Sequence, residues 1–150
     1  MLQRISLHPE LRYATSVVGA GGGVGTTTLC ALLGDCALDS GTTAPEWTGQ
    51  PIVVVAAGTA ASVAKAVRLV GVFAALPLSI RMALAVVSDS AAPEPGLVRS
   101  RLRAVKPTVA GVVRFPYVEA WRYLDDPLSR PVPTAYQRSL RSLSHIINTL

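Results

Sequence analysis

Residues 16–29 read Ser-Val-Val-Gly-Ala-Gly-Gly-Gly-Val-Gly-Thr-Thr-Thr-Leu: an apolar run, five glycines between positions 19 and 25, and then a helix start. Few folds use that order. Glycine adopts positive φ without steric cost and brings backbone close to whatever sits above it. Successive N–H groups in such a loop turn inward on an anion, and the N-terminus of the following helix adds partial positive charge. Gly21, Gly22, Gly23, Val24, Gly25, Thr26, Thr27 and Thr28 are therefore the candidate phosphate-binding residues.

The rest of the chain alternates in the same sense. Strands are predicted over 14–19, 51–57, 81–87 and 109–115, the clearest being the β-branched run Ile52-Val53-Val54-Val55 closed by Gly58. Helices are predicted over 26–38, 61–75, 97–105 and 134–150, with a helical turn over 118–124. The segment 40–50 reads as an exposed connection, 88–95 as a polar turn region and 125–133 as a proline-containing loop. Alternation of this kind predicts an α/β fold in three layers, a mainly parallel sheet with helices on both faces. Residues 1–12 read as a lead-in and 13–150 as one domain, with ligands expected at the carboxyl ends of the strands.

Composition agrees with a packed domain: half the residues are hydrophobic and 15% are charged. The net charge of +5 raises the prior for a nucleic-acid or anionic-membrane partner without deciding it. Cys30 and Cys36, on what reads as one helix, are expected to be reduced and structural, in keeping with a cytoplasmic protein. Charged residues Arg4, His8, Glu10 and Arg12 break up the start of the chain, so no secretory signal is expected. The uncharged stretch 14–34 has the length of a membrane span, yet its glycines and threonines assign it to the loop.

Gly21-Gly22-Gly23-Val24-Gly25-Thr26-Thr27-Thr28 resembles the deviant Walker A loop, K-G-G-V-G-K-T-T, of the MinD/ParA family of P-loop ATPases. Six of the eight positions match: Gly22, Gly23, Val24, Gly25, Thr27 and Thr28. Weaker similarity continues through Ile52–Val70, Leu84–Asp89, Val109–Tyr117 and Arg130-Pro131-Val132-Pro133. The resemblance implies a compact P-loop NTPase-like domain, ATP with Mg²⁺ as cofactor, and Thr27 as the metal-side residue if a Mg-nucleotide binds. It also places Ser88, Asp89, Pro116 and Tyr117 on the nucleobase side.

The departures are as informative as the matches. Both signature lysines are replaced, by Gly21 and Thr26; Ala56 and Ala57 stand where an acidic strand end would be; and the segment between the first helix and Ile52 is short. Phosphoryl transfer depends on positioned charge, and losing one such donor costs roughly 100- to 1,000-fold in rate. The expectation is thus a degenerate domain with little or no ATP hydrolysis, binding nucleotide weakly or not at all. It would serve to bind, position or regulate a protein partner or a second copy of itself. A nucleotide-dependent switch of the MinD/ParA type is the second reading. A nucleic-acid-binding accessory protein is the third, with Arg99, Arg101, Arg103 and Lys106 as footprint.

Other residues bear on the same chemistry. Arg114 and Arg122 could replace the missing cations, but a solvated surface role is the simpler reading of each. Asp35 is expected too far along the first helix to reach a metal, and Asp39 reads as a turn residue. Phe115, Tyr117, Trp121 and Tyr123 form an aromatic cluster suited to core or interface packing, with stacking on a ligand as the alternative. The stripe Leu140, Leu143, Ile147 and Leu150 of the last helix is expected to pack on the sheet rather than on a membrane.

Overall fold

The computed structural model describes residues 11–149. Five strands form one sheet: β1 (Thr15–Gly19), β2 (Ala37–Asp39), β3 (Ile52–Ala57), β4 (Met82–Val87) and β5 (Val112–Phe115). Their order is β2-β1-β3-β4-β5, and all four pairings are parallel. Four α-helices accompany them: α1 (Thr26–Leu33), α2 (Ala60–Ala75), α3 (Gly96–Val105) and α4 (Thr134–Asn148). Helices cover both faces. Val17, Val53, Val55, Ala83, Ala85, Val113 and Phe115 point toward α1 and α4. Val18, Ile52, Val54, Ala56, Leu84 and Val86 point toward α2 and α3. Because both faces are covered, the central strands β3 and β4 are apolar throughout instead of alternating, and the three-layer α/β expectation holds.

Helix α1 is shorter than its sequence predicts. It stops at Leu33 because Gly34 takes φ 97°, a left-handed value that ends a helix. The three residues Ala37–Asp39, expected to be helix or turn, instead pair with Thr15, Ser16 and Val17 as a fifth strand at the sheet edge. Cys30 and Cys36 consequently do not share a helix; both are free thiols, and burial pushes the Cys30 thiol up to about 12, with the Asp39 carboxylate adding to the shift.

Two further expectations are adjusted. The connection 40–50 is not wholly exposed: Trp47 packs against the α2/α3 core, donates from Nε1 to the Gln50 carbonyl (3.0 Å), and Gln50 reaches the Ser16 hydroxyl (3.0 Å). Of the predicted lead-in, residues 1–10 lie outside the described residues. Leu11 is buried in the α1/α4 core, and the Arg12 N–H donates to Asn148 Oδ1 (2.8 Å). The fourth predicted strand starts later, at Val112, because the chain bends at Val109 and Ala110 after the 3₁₀ turn Lys106–Thr108.

Helix α4 buries Tyr136, Leu140, Leu143, Ser144 and Ile147, while Arg138, Arg141 and His145 face away. Its stripe is core, as the sequence predicts, apart from Leu150, which lies outside the described residues. No helix among the described residues is long and apolar enough to cross a membrane. Ser144 is fully buried and its hydroxyl has no hydrogen-bond partner. An unsatisfied buried hydroxyl costs roughly 1–3 kcal/mol, so Ser144→Ala is expected to leave the thermal midpoint unchanged or raise it by a few degrees. A drop of several degrees in calorimetry would show that this hydroxyl is engaged.

Candidate functional site at the glycine loop

The chain leaves β1 for one sheet edge and returns to the other side of β1, so the topological switch point lies between β1 and β3, where open parallel sheets place ligands. The glycine loop sits there. It is anchored at its base by Gly19 N–H to the Gly41 carbonyl (2.7 Å) and Ala20 N–H to the Val55 carbonyl (2.8 Å). Above that anchor it is open: a Cβ added at Gly21, Gly22 or Gly23 would meet no atom within 4 Å. Gly23 and Gly25 have φ of 72° and 92°, which side chains other than glycine adopt only under strain.

Gly25 is also the residue that starts α1, and no side chain caps this helix. The first intrahelical bond runs from the Leu29 N–H to the Gly25 carbonyl (3.0 Å). The N–H groups of the first turn therefore have no intrahelical acceptor and face the loop mouth, where the helix dipole favours negative charge.

Thr26 does not reach that mouth. Its side chain is buried beneath the loop, so close to the end of β1 that a Cβ at Gly19 would lie 2.5 Å from its hydroxyl. Thr27 does reach it: the side chain is exposed, and its hydroxyl donates to Asp39 Oδ2 (3.3 Å). The second oxygen of Asp39 accepts from the Gly41 N–H (2.8 Å). Asp39, read from the sequence as a turn residue, is instead the last residue of β2 and stands at the loop. Because β2 runs parallel beside β1, its last residue arrives level with Thr27 in the first turn of α1, twelve positions away in sequence. Asp35 lies past the other end of α1, away from the loop, as expected.

Thr27 and Asp39 supply a hydroxyl and a carboxylate side by side. That is the protein share typical of a Mg²⁺ site completed by water and phosphate oxygens. With the hydroxyl proton directed at Asp39, the Thr27 oxygen keeps lone pairs for a cation. No group of three or more His, Cys, Asp or Glu side chains suited to a metal exists among the described residues. The donor set therefore fits a metal that arrives with its own phosphate ligands.

The remaining candidates divide. Ser88 and Asp89 follow β4 and line a cleft of about 280 Å³ with the segment 58–60, Ser90 and the segment 92–95. Pro116 and Tyr117 follow β5, are half-buried and do not line it. Arg114 is engaged by Glu94 (2.9 Å) and so is not a free substitute for the missing lysines; Arg122 is exposed on the turn Glu119–Tyr123. Arg101 turns inward, donating to the Ala60 carbonyl (2.7 Å), which leaves Arg99, Arg103 and Lys106 as the exposed cations of that segment. Of the aromatic cluster, Phe115 and Trp121 pack on Tyr136, with ring centroids 4.9 and 4.8 Å away, and Tyr123 is exposed. Phe115 and Trp121 thus pack with the core, around a residue of α4 outside the cluster named from the sequence.

A model described as "Family of unknown function (DUF6668)" matches residues 14–140, from just before β1 into α4, and the chain belongs to that family. No curated protein and no solved structure matches it.

Proposed function

We propose that this member of a family of unknown function is a degenerate P-loop domain of the MinD/ParA type. In this reading it binds a Mg-nucleotide at residues 21–28 and acts as a binding, positioning or regulatory module, with little or no hydrolysis. The observation that carries the reading is the Thr27–Asp39 pair at the mouth of the glycine loop. A turn that only joined strand to helix would have no use for open backbone on one side and a hydroxyl–carboxylate pair on the other.

The pair also sets the form of the ligand. Two unit charges about 4 Å apart repel by roughly 1 kcal/mol in water and roughly 4 kcal/mol at an effective dielectric constant of 20. Asp39 thus opposes a bare phosphate in the cradle. A divalent cation held beside Asp39 would offset that repulsion. Loop amides and the α1 terminus would hold the phosphate, Thr27 and Asp39 would hold the metal side, and no lysine would contribute. Mg²⁺ would supply charge neutralisation of the phosphates; the chain's own groups supply orientation.

Wild-type protein is accordingly expected to bind ATP or pyrophosphate at least tenfold more tightly with Mg²⁺ than with chelator. In Asp39→Asn that dependence should shrink to a few-fold, because removing the carboxylate weakens the metal-bound form and relieves repulsion in the metal-free form. Calorimetric titration of both proteins in both conditions tests this. Equal affinity with and without Mg²⁺ in the wild type contradicts it.

Hydrolysis is expected to stay at background, since neither lysine position carries a cation and Arg114 is committed to Glu94. Turnover above background that disappears in Gly25→Asp would overturn this part of the reading.

A further inference from the structure

We infer that the outer surface of α2 and α3 docks an acidic amphipathic helix of a partner protein, at a site separate from the glycine loop. The two helices lie side by side on one face of the sheet and both run against the strands. Arg101 ties them together by donating to the Ala60 carbonyl in the first turn of α2 (2.7 Å). Lys65 on α2 and Lys106 at the end of α3 each follow that tie by about 7.5 Å of helix, so the cations of the two helices come level. Lys65 and Arg68 share one face of α2, and Arg99, Arg103 and Lys106 share one face of α3. All five are exposed, and no hydrogen bond or ion pair among the described residues engages them. Neither 58–88 nor 96–118 contains an Asp or Glu, so the layer is positive from end to end.

Charge is half of the surface. The exposed stripe of α2 continues one turn beyond Arg68 to Val72, then to Leu76, and the chain leaves the helix through Leu78; these are 60%, 41% and 45% exposed. Every residue of 71–79 except Phe73 is exposed, and none is charged. A face that only met solvent would be polar here. Aliphatic residues bordered by arginine instead match the apolar centre and charged rim of a protein interface. An acidic amphipathic helix supplies what this surface lacks: an apolar stripe for Val72 and Leu76, and carboxylates for the cations of both helices. Nucleic-acid interfaces are more polar and would leave the aliphatic strip uncovered. Phe73 is the sole aromatic residue of α2 and α3 and is buried, so the surface offers no ring to stack a base or to sit at a membrane interface.

The test uses a synthetic peptide of about 18 residues, long enough to be helical alone, with leucine at every third or fourth position and glutamate between. Wild type is expected to bind it roughly tenfold more tightly than a scrambled peptide of the same composition, because the scramble keeps the charge and loses the stripe. Amide shifts in NMR should fall on the exposed residues of α2 and α3. Arg68→Glu combined with Arg103→Glu should weaken binding roughly tenfold or more, and Val72→Gln several-fold. All three positions are exposed, so the thermal midpoint should hold in both variants. Equal affinity for the two peptides, or unchanged affinity in Val72→Gln, would overturn the inference by reducing the surface to its charge. Tighter binding of a short DNA duplex or of phosphatidylserine vesicles than of the peptide would overturn it in favour of those partners. Pyrophosphate binding should be the same in every variant, so failure here leaves the glycine-loop reading standing.

Discussion

Replacing Thr26 with lysine is expected to raise affinity for Mg-pyrophosphate and Mg-nucleotides by about 10- to 100-fold. A hydrogen bond to a charged group contributes roughly 1.5–3 kcal/mol, and each 1.4 kcal/mol is tenfold in affinity. Position 26 is the first residue of α1, and a lysine there would have to extend from beneath the loop, past Gly19, to reach an anion held by the amides. Threonine cannot: its hydroxyl is folded down over Gly19. A Thr26→Met control matches the length without the charge and should bind no more tightly than wild type. Calorimetry on the three proteins checks this. An unchanged affinity in Thr26→Lys would mean that the loop does not face the phosphate.

The second large effect concerns the frame that holds the loop. Tyr136→Ala is expected to destabilise the domain by roughly 3–5 kcal/mol, as for other buried aromatic truncations. Tyr136 is almost fully buried, and both Phe115 and Trp121 pack against it. Phe115 ends β5 and Trp121 sits on the following turn, so one ring fastens α4 to the carboxyl edge of the sheet. Burial also pushes the Tyr136 phenol above its usual range, so it stays neutral at physiological pH. Tyr136→Phe keeps the packing and should lose far less. Urea unfolding of the two variants separates these cases; equal losses would assign the stability to the hydroxyl.

How far the sequence could be read follows from which contacts are local. The β-branched run of β3 and the glycine loop announce themselves within a few residues, and the parallel order follows from strand–helix alternation. Gly34 is a local stop signal, and weighing it against the apolar run on either side would have ended α1 at Leu33 and released Ala37–Asp39 as a strand. The role of Asp39 was not legible. Nothing in a stretch reading Ala-Leu-Asp-Ser-Gly tells that its carboxylate meets Thr27, because that contact exists only once β2 lies parallel to β1.

Two other residues show the same boundary. Arg101 lies two positions from both Arg99 and Arg103, and on a helix that spacing points it elsewhere. Its destination, the first turn of α2, depends on how α2 and α3 pack. Phe115 and Trp121 are recognisable as a local cluster, whereas Tyr136 joins them only through the return of α4 across the sheet. Site residues on one loop were legible; those assembled from separate strands were not.

The most direct measurement is an amide-resolved NMR titration with Mg-pyrophosphate. Saturable shifts are expected at the N–H groups of residues 21–28, with a second set at Asp39 to Gly41, and both sets should weaken sharply when Mg²⁺ is chelated. Shifts confined to other surfaces, or none at millimolar ligand, would contradict a phosphate cradle at this loop.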